Sequence, residues 1–238
     1  MAIYHCSIKV ISRGKGKSAV AAAAYRAGEK ITNQFDGMTH DYTHKGGVVH
    51  TEILLPDHAP AEYADRAVLW NEVEKIEKAK NAQLAREIEI SLPRELTREQ
   101  SISLVREYVK RHFVAAGMCA DVCLHDTGGG NPHAHIMLTM RPFDEGGEWG
   151  AKQKKEYILD RDGNKIYDPK KRQYKCKSIP ATDWNEQTKA EEWRAAWARL
   201  CNQTLEQYEH AERIDHRSYE RQGINQIPTV HLGVAASA

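Results

Sequence analysis

The stretch "CADVCLHDTGGGNPHAHIMLTMRP", residues 119–142, constrains the fold more than any other part of the chain. Two β-rich runs, "CADVCLHD" and "HAHIMLTMRP", are separated by only "TGGGNP". A parallel crossover needs a dozen or more residues, so so short a link makes the two strands an antiparallel pair. Residues two apart on a strand project from one face, so His133 and His135 point together while Ala134 faces the core. The short connection brings His125, at the end of the preceding strand, beside them. Three converging imidazoles make a divalent-metal site with positions left open for substrate. Gly128, Gly129 and Gly130 let the loop turn tightly next to it.

Other two-histidine metal patterns fail on this sequence. A metallo-β-lactamase-like site needs Asp and His just after the pair, where "HAHIML" turns apolar. A cupin needs a glutamate three to five residues on, and the next is Glu145. The H-E-x-x-H helix of zincins is absent. What remains is a strand carrying His, a hydrophobic residue and His.

Around this pair the pattern places strands at "IYHCSIKVI" (3–11), "VVHTEILLP" (48–56) and "AREIEISLP" (85–93), the last ended by Pro93. Helices are expected at Ser18–Glu29, with Ser18 as N-cap and Gly28 near the end. A long amphipathic helix is expected over 60–84, with Tyr63, Ala67, Trp70, Val73 and Ile76 on one stripe. A third starts at the Thr97/Gln100 capping box and runs to about Ala116. A fourth covers 184–208, its Trp193, Trp197, Leu200 and Leu205 read as core. Residues 31–47 are turn-rich, with a hairpin turn expected at Asp36-Gly37. The fold class is therefore α/β (α+β): a two-layer sandwich with a central mixed, mainly antiparallel five-stranded sheet and flanking helices.

On the third strand Glu87 and Glu89 share a face opposite Ile88 and Ile90. Two carboxylates suit the lining of a metal-bearing cleft, where either orients a ligand histidine or acts as base. Solvent exposure at a sheet edge explains Glu89 equally well.

"GKGKSAVAAAAYRAGE" opens like a phosphate-binding loop but fails as one, because the glycine that motif needs falls on Ile11. Arg13, Lys15 and Lys17 then form a basic loop at a helix N-terminus, suited to a phosphate backbone or to plain solvation in equal measure. Tyr25 sits on that helix among small residues, and Arg26 after it is expected as a further DNA contact. A phenol ordinarily titrates near pKa 10, so as a nucleophile it needs assistance. By position alone a packed helix tyrosine is the better reading.

Lys152 to Lys177 carries ten Lys/Arg, among them Lys152, Lys154, Lys155, Lys170, Lys171 and Arg172, against four acids, with Tyr157, Tyr167 and Tyr174 interleaved. "YILDRDGNKIYD" reads as a hairpin turning at Asp162-Gly163. Basic and aromatic side chains on such a hairpin fit single-stranded nucleic acid. Over the whole chain 34 Lys/Arg meet 33 Asp/Glu, so only this local clustering speaks for nucleic acid. No apolar run approaches a membrane span and no signal-peptide layout opens the chain. Five scattered cysteines fit free thiols in a reducing cytoplasm.

Together "MAIYHCSIKVISRGKGKSAVAAAAYRAGEK", "TEILLPDHAP", "NAQLAREIEISLP" and "HDTGGGNPHAHIMLTMRP" resemble the N-terminal relaxase domain of the MobA/MobL mobilisation family, which are HUH endonucleases. The resemblance implies one relaxase domain over 1–238 with a basic insertion at about 151–180, as the N-terminal part of a longer protein. It implies Tyr25 as the single catalytic tyrosine, His125, His133 and His135 as metal ligands for Mg2+ or Mn2+, and Glu87 as the strand glutamate. It further implies single-stranded DNA at a transfer origin (a hairpin plus nick site) as substrate, with relaxosome accessory and coupling proteins as partners. Same-superfamily alternatives are a rolling-circle replication initiator or a transposase. From other classes come a catalytically inactive DNA-binding repressor and a zinc phosphodiesterase using water.

Overall fold

A computed structural model describes residues 4–225. Its centre is a five-stranded sheet in the order β1-β5-β7-β6-β4, built from β1 (Cys6–Ser12), β4 (Val48–Leu54), β5 (Gln83–Ser91), β6 (Ala120–His125) and β7 (His133–Leu138). The glycine-loop pair, β6 and β7, lies inside the sheet as its spacing requires. The sheet expected as mixed and mainly antiparallel is antiparallel in all four pairings. Ile3, the expected start of the first strand, lies outside the described residues.

Alternation sorts the strands into two faces. Ile88, Ile90, Val122, Leu124, Ala134 and Ile136 face one way and pack with α3 (Arg98–Val109) and α4 (Gln187–Gln207), whose Tyr108, Trp193 and Trp197 fill that core. The opposite face packs Ile11, Ala85 and Met137 against α1 (Ala19–Ala27) and α2 (Arg66–Ile76). Helices thus cover both faces, one layer more than the two-layer sandwich expected. The reason lies on the second face: at its Ala85–Met137 end the strands are apolar enough to bury the small residues of α1, while its other end carries the glutamates and histidines.

The caps read from sequence are present. The Ser18 side chain accepts from Ala21 N–H, and Gly28 closes α1 in the left-handed region at φ 68°. Thr97 and Gln100 form the reciprocal capping box of α3, which is followed by a single π turn at Lys110–Val114. The Asp36-Gly37 turn joins β2 (Lys30–Thr32) to β3 (Thr39–Asp41).

The long helix expected over 60–84 is shorter. Asp65 is extended, and its carboxylate caps Val68 N–H to start α2 after a 3-10 turn at Ala61–Ala64. The helix stops at Ile76 because the Glu77 side chain is buried and taken by Arg141 and Lys152.

Residues beyond the sheet form an exposed two-stranded arm. β8 (Gln153–Tyr157) pairs with β11 (Cys176–Pro180), and β9 (Tyr167–Asp168) with β10 (Gln173–Tyr174). The turn at its tip is the expected one, with Asp160 N–H donating to the Asn164 carbonyl and Gly163 at φ 85°.

Candidate active site

The three histidines converge. His125 stands opposite His133 in the β6–β7 register, and His135 is two pairs further along β7, on the same face. Ring centroids lie 4.8–5.2 Å apart, and one nitrogen from each falls within 4.8 Å of the others. His125 is buried, and His133 and His135 are half-buried.

Each ring has one nitrogen committed to an acceptor. His125 Nε2 is 2.6 Å from the Arg26 carbonyl oxygen, His133 Nδ1 is 2.9 Å from the Asn131 carbonyl oxygen, and His135 Nδ1 is 3.0 Å from Glu87 Oε1. Carbonyl and carboxylate oxygens only accept, so those nitrogens carry the protons. That leaves Nδ1 of His125 and Nε2 of His133 and His135 as the atoms that can ligate. Imidazoles each oriented by an outer partner are what a divalent cation requires. The residues fit such an ion. Burial lowers His125 to about 4, with the Lys45 charge and the sister histidines adding to it against the Arg26 carbonyl bond, which holds that ring neutral at pH 7.

Glu87 is buried. Burial alone raises a carboxyl, but the bond from His135 and the Arg26 guanidinium outweigh it and hold Glu87 at about 2. Of the two roles open to it in the sequence, orienting a histidine is the one its contacts match. Glu89 sits opposite His135 in register, but its carboxylate lies near Lys9 and His5. Among the described residues no hydrogen bond joins it to a triad histidine, so the expected backing of a ligand histidine is not met.

Arg26 is the residue that sequence reasoning misjudged. Expected as a DNA contact, it turns inward: Nε donates to Glu87 Oε1 at 2.6 Å, Nη2 pairs with the same oxygen, and its carbonyl receives His125. One residue of α1 thus touches the supports of two histidines. Its neighbour Tyr25 is 48% exposed, with Tyr42 edge-on at 5.2 Å and Lys45 over the ring. Burial first, then the Arg26 charge, lowers Lys45 to about 8. The sequence carried no signal for Lys45, since it falls in a turn-rich stretch with no helical or strand period. A cleft of about 420 Å³ near the start of α3, lined by Val49, Leu92, Arg94, Leu124 and Gly130, among others, includes His125 alone of the triad.

The other expected DNA contacts divide. Arg13 is an internal strut: it pairs with Glu74, bonds the Glu77 carbonyl and packs over Phe35, so it is not on an open basic loop. Lys152 is held by Glu77 and the Gln83 carbonyl. Lys15, Lys17, Lys154, Lys155, Lys170, Lys171 and Arg172 are exposed. None of these seven is brought to the triad.

The description "MobA/MobL family" matches residues 17–238. The chain is 39% identical over 253 residues to "Probable mobilization protein MobA" of Bifidobacterium longum, with 100% of this chain and 44% of that protein aligned. It is 43% identical to "Conjugal transfer protein TraA" of Agrobacterium fabrum, with 100% of this chain and 22% of that protein aligned. The chain therefore spans less than half the length of these two relatives. A solved structure from work on the "Molecular Basis of Vancomycin Resistance Transfer in Staphylococcus aureus" superposes with a TM-score of 0.78 at 33% identity, over 92% of this chain and 100% of that one.

Proposed function

The chain belongs to the MobA/MobL family, and on that premise we propose that it is a relaxase, nicking one DNA strand at a transfer origin through Tyr25. The observation that carries this reading is Arg26. Directly after Tyr25 on α1, it receives His125 on its carbonyl and reaches His135 through Glu87, so the tyrosine's helix and the triad are parts of one assembly. A divalent ion held by His125, His133 and His135, Mg2+ or Mn2+, would supply positive charge to polarise a phosphoryl oxygen.

The chain's own residues do the rest. The Tyr25 phenol loses its proton to solvent, and its oxygen bonds to phosphorus as the bond from phosphorus to the 3′ oxygen breaks; that oxygen takes up a proton. The 5′ end stays on the tyrosine. Because the phosphodiester energy is kept there, the reverse step reseals the strand without a nucleotide cofactor, which agrees with the failed phosphate-loop match. Glu87 keeps the His135 proton on Nδ1, and the half-exposed phenol leaves room for a strand to approach. The substrate is single-stranded DNA with a hairpin and nick site, and accessory and coupling proteins complete the assembly in the cytoplasm. No helix among the described residues is long and apolar enough to cross a membrane. The relatives' names, mobilization and conjugal transfer, favour this over a replication initiator or transposase.

The test is a denaturing gel with transfer-origin oligonucleotide and Mn2+ or Mg2+. The wild type yields a covalent protein–DNA band and Tyr25→Phe yields none. A band of wild-type strength from Tyr25→Phe removes the nucleophile, and cleavage with no band at all points to a water-using phosphodiesterase.

A further inference from the structure

We infer that Lys45 holds the Tyr25 ring and stabilises the charge it develops: its Nζ lies 3.9 Å from the ring centroid while donating a 2.8 Å hydrogen bond to the Tyr25 carbonyl oxygen. The inference rests on Tyr25 being the nucleophile and adds a second residue to that chemistry.

The geometry is fixed at both ends. Glu29 N–H and the Gly28 cap N–H both turn to the Ala24 carbonyl, so the helix itself leaves the Tyr25 carbonyl without a donor. Lys45 fills that place, as a cation does favourably at a helix C-terminus. Its backbone is tied in turn, because Lys45 N–H donates to the Tyr42 carbonyl at 2.9 Å. The same short segment thus presents Tyr42 to the edge of the ring and Lys45 to its face. Without them Tyr25 would have little to fix it, since its face of α1 offers alanines and nearly half its surface is open.

Arg26, the nearest cation on the helix, is already matched by Glu87, whereas no carboxylate is paired with Lys45 among the described residues. As the phenol O–H bond breaks and the proton passes to solvent, the electron pair left behind spreads from the oxygen into the ring. A cation over the face attracts the neutral ring's quadrupole modestly and the phenolate ring more strongly. An interaction that grows along the reaction lowers the barrier, whereas one equal at start and finish would not. Nζ sits over the ring and bonds the backbone, so the role is electrostatic and positional; it does not carry the proton.

The experiment is single-turnover adduct formation by this chain at saturating transfer-origin oligonucleotide with Mn2+, alongside equilibrium binding of the same oligonucleotide. Lys45→Met keeps the length and drops the charge. Lys45→Gln keeps a donor for the carbonyl and also drops the charge. Both are expected to slow adduct formation about tenfold, the loss of a half-buried cation–π contact, with binding changed about twofold or less. Lys45→Arg restores most of the rate. A wild-type rate from either uncharged variant at saturation overturns the inference, including the case where binding alone is weaker, since Lys45 would then serve only as a phosphate contact. Failure of Lys45→Arg to rescue also overturns it. If Lys45→Met does not fold by circular dichroism, Lys45→Gln decides. Tyr25→Phe in the same assay keeps the two readings apart: an adduct there sinks the nucleophile, whereas a Tyr25-dependent adduct indifferent to Lys45 sinks only this inference.

Discussion

Glu87 binds two neighbours through one oxygen, accepting from His135 Nδ1 and from Arg26 Nε. The carbonyl oxygen of a glutamine amide can still accept from both, but it leaves the half-buried guanidinium without its counter-charge and holds both donors more weakly. Glu87→Gln is therefore expected to weaken Mn2+ binding about 10–100-fold, the usual cost of losing an outer partner of a ligand histidine. Calorimetric titration reads this directly, and an unchanged dissociation constant would free Glu87 from any part in holding the site. At this scale the histidines were legible because a strand's period of two leaves no freedom about where His133 and His135 point. Charges were not. Arg13, Arg26 and Lys152 read as DNA contacts because nothing local distinguishes a cation that faces solvent from one that a carboxylate 61 residues away will bury, as Glu74 does Arg13 and Glu87 does Arg26. Lys45 was invisible for a related reason: its partner is a helix-end carbonyl and a ring face, neither of which leaves a mark in its own sequence neighbourhood.

α1 shows how an element delivers a residue. Nine residues of alanine-rich helix are begun by Ser18 and stopped by Gly28, so Tyr25 and Arg26 fall in the last turn, beside the triad and the segment carrying Lys45. Gly28 stands at φ 68°, and a Cβ there would lie 3.3 Å from Val48 Cγ2 and 3.7 Å from the carbonyl oxygens of Tyr42 and Lys45. Gly28→Ala is expected to cost about 1–3 kcal/mol, from left-handed strain in a residue that has no help from its neighbours. The urea midpoint measures that cost. The tight contact is with Val48, and the strained turn lies against the Tyr42 and Lys45 carbonyls, so adduct formation should also fall under conditions where the variant is fully folded. Loss of stability with a wild-type rate would mean that the helix end does not set the Tyr25 geometry. Caps at α1 and α3 were readable because capping chemistry is local. The end of α2 was not, since its amphipathic pattern runs on through 78–82 without a stop signal and Glu77 leaves the helix for Arg141, 64 residues away.

Across the whole molecule the basic features collect at one end and the chemistry at the other. Arg13 N–H bonds the Ala82 carbonyl, and Lys152 bonds the Gln83 carbonyl, so both the Lys15–Lys17 loop and the base of the arm are fastened near the start of β5. The triad faces the other end of that strand, at Glu89 and Ser91. Six residues of strand separate the two ends, or about 20 Å. On the proposed function, a single strand seated at the triad would have to run the length of the sheet to reach these cations, which would make them a track for the backbone, apart from the cleavage step. The arm is almost wholly exposed and adds little to either core, so replacing residues 153–179 by a two-residue Asn-Gly turn between Lys152 and Pro180 should leave the thermal midpoint within a few degrees. It removes nine Lys/Arg and four acids, a net of five positive charges. With each net charge matched to a phosphate, the slope of log K against log salt for a single-stranded oligonucleotide falls by about 3.5. At low salt, with DNA saturating, the shortened protein should still form its adduct through Tyr25. An unchanged slope would take the arm out of DNA binding, whereas a lost adduct at saturation would bring the arm into the chemistry itself and contradict the division of the molecule into a cutting end and a gripping end.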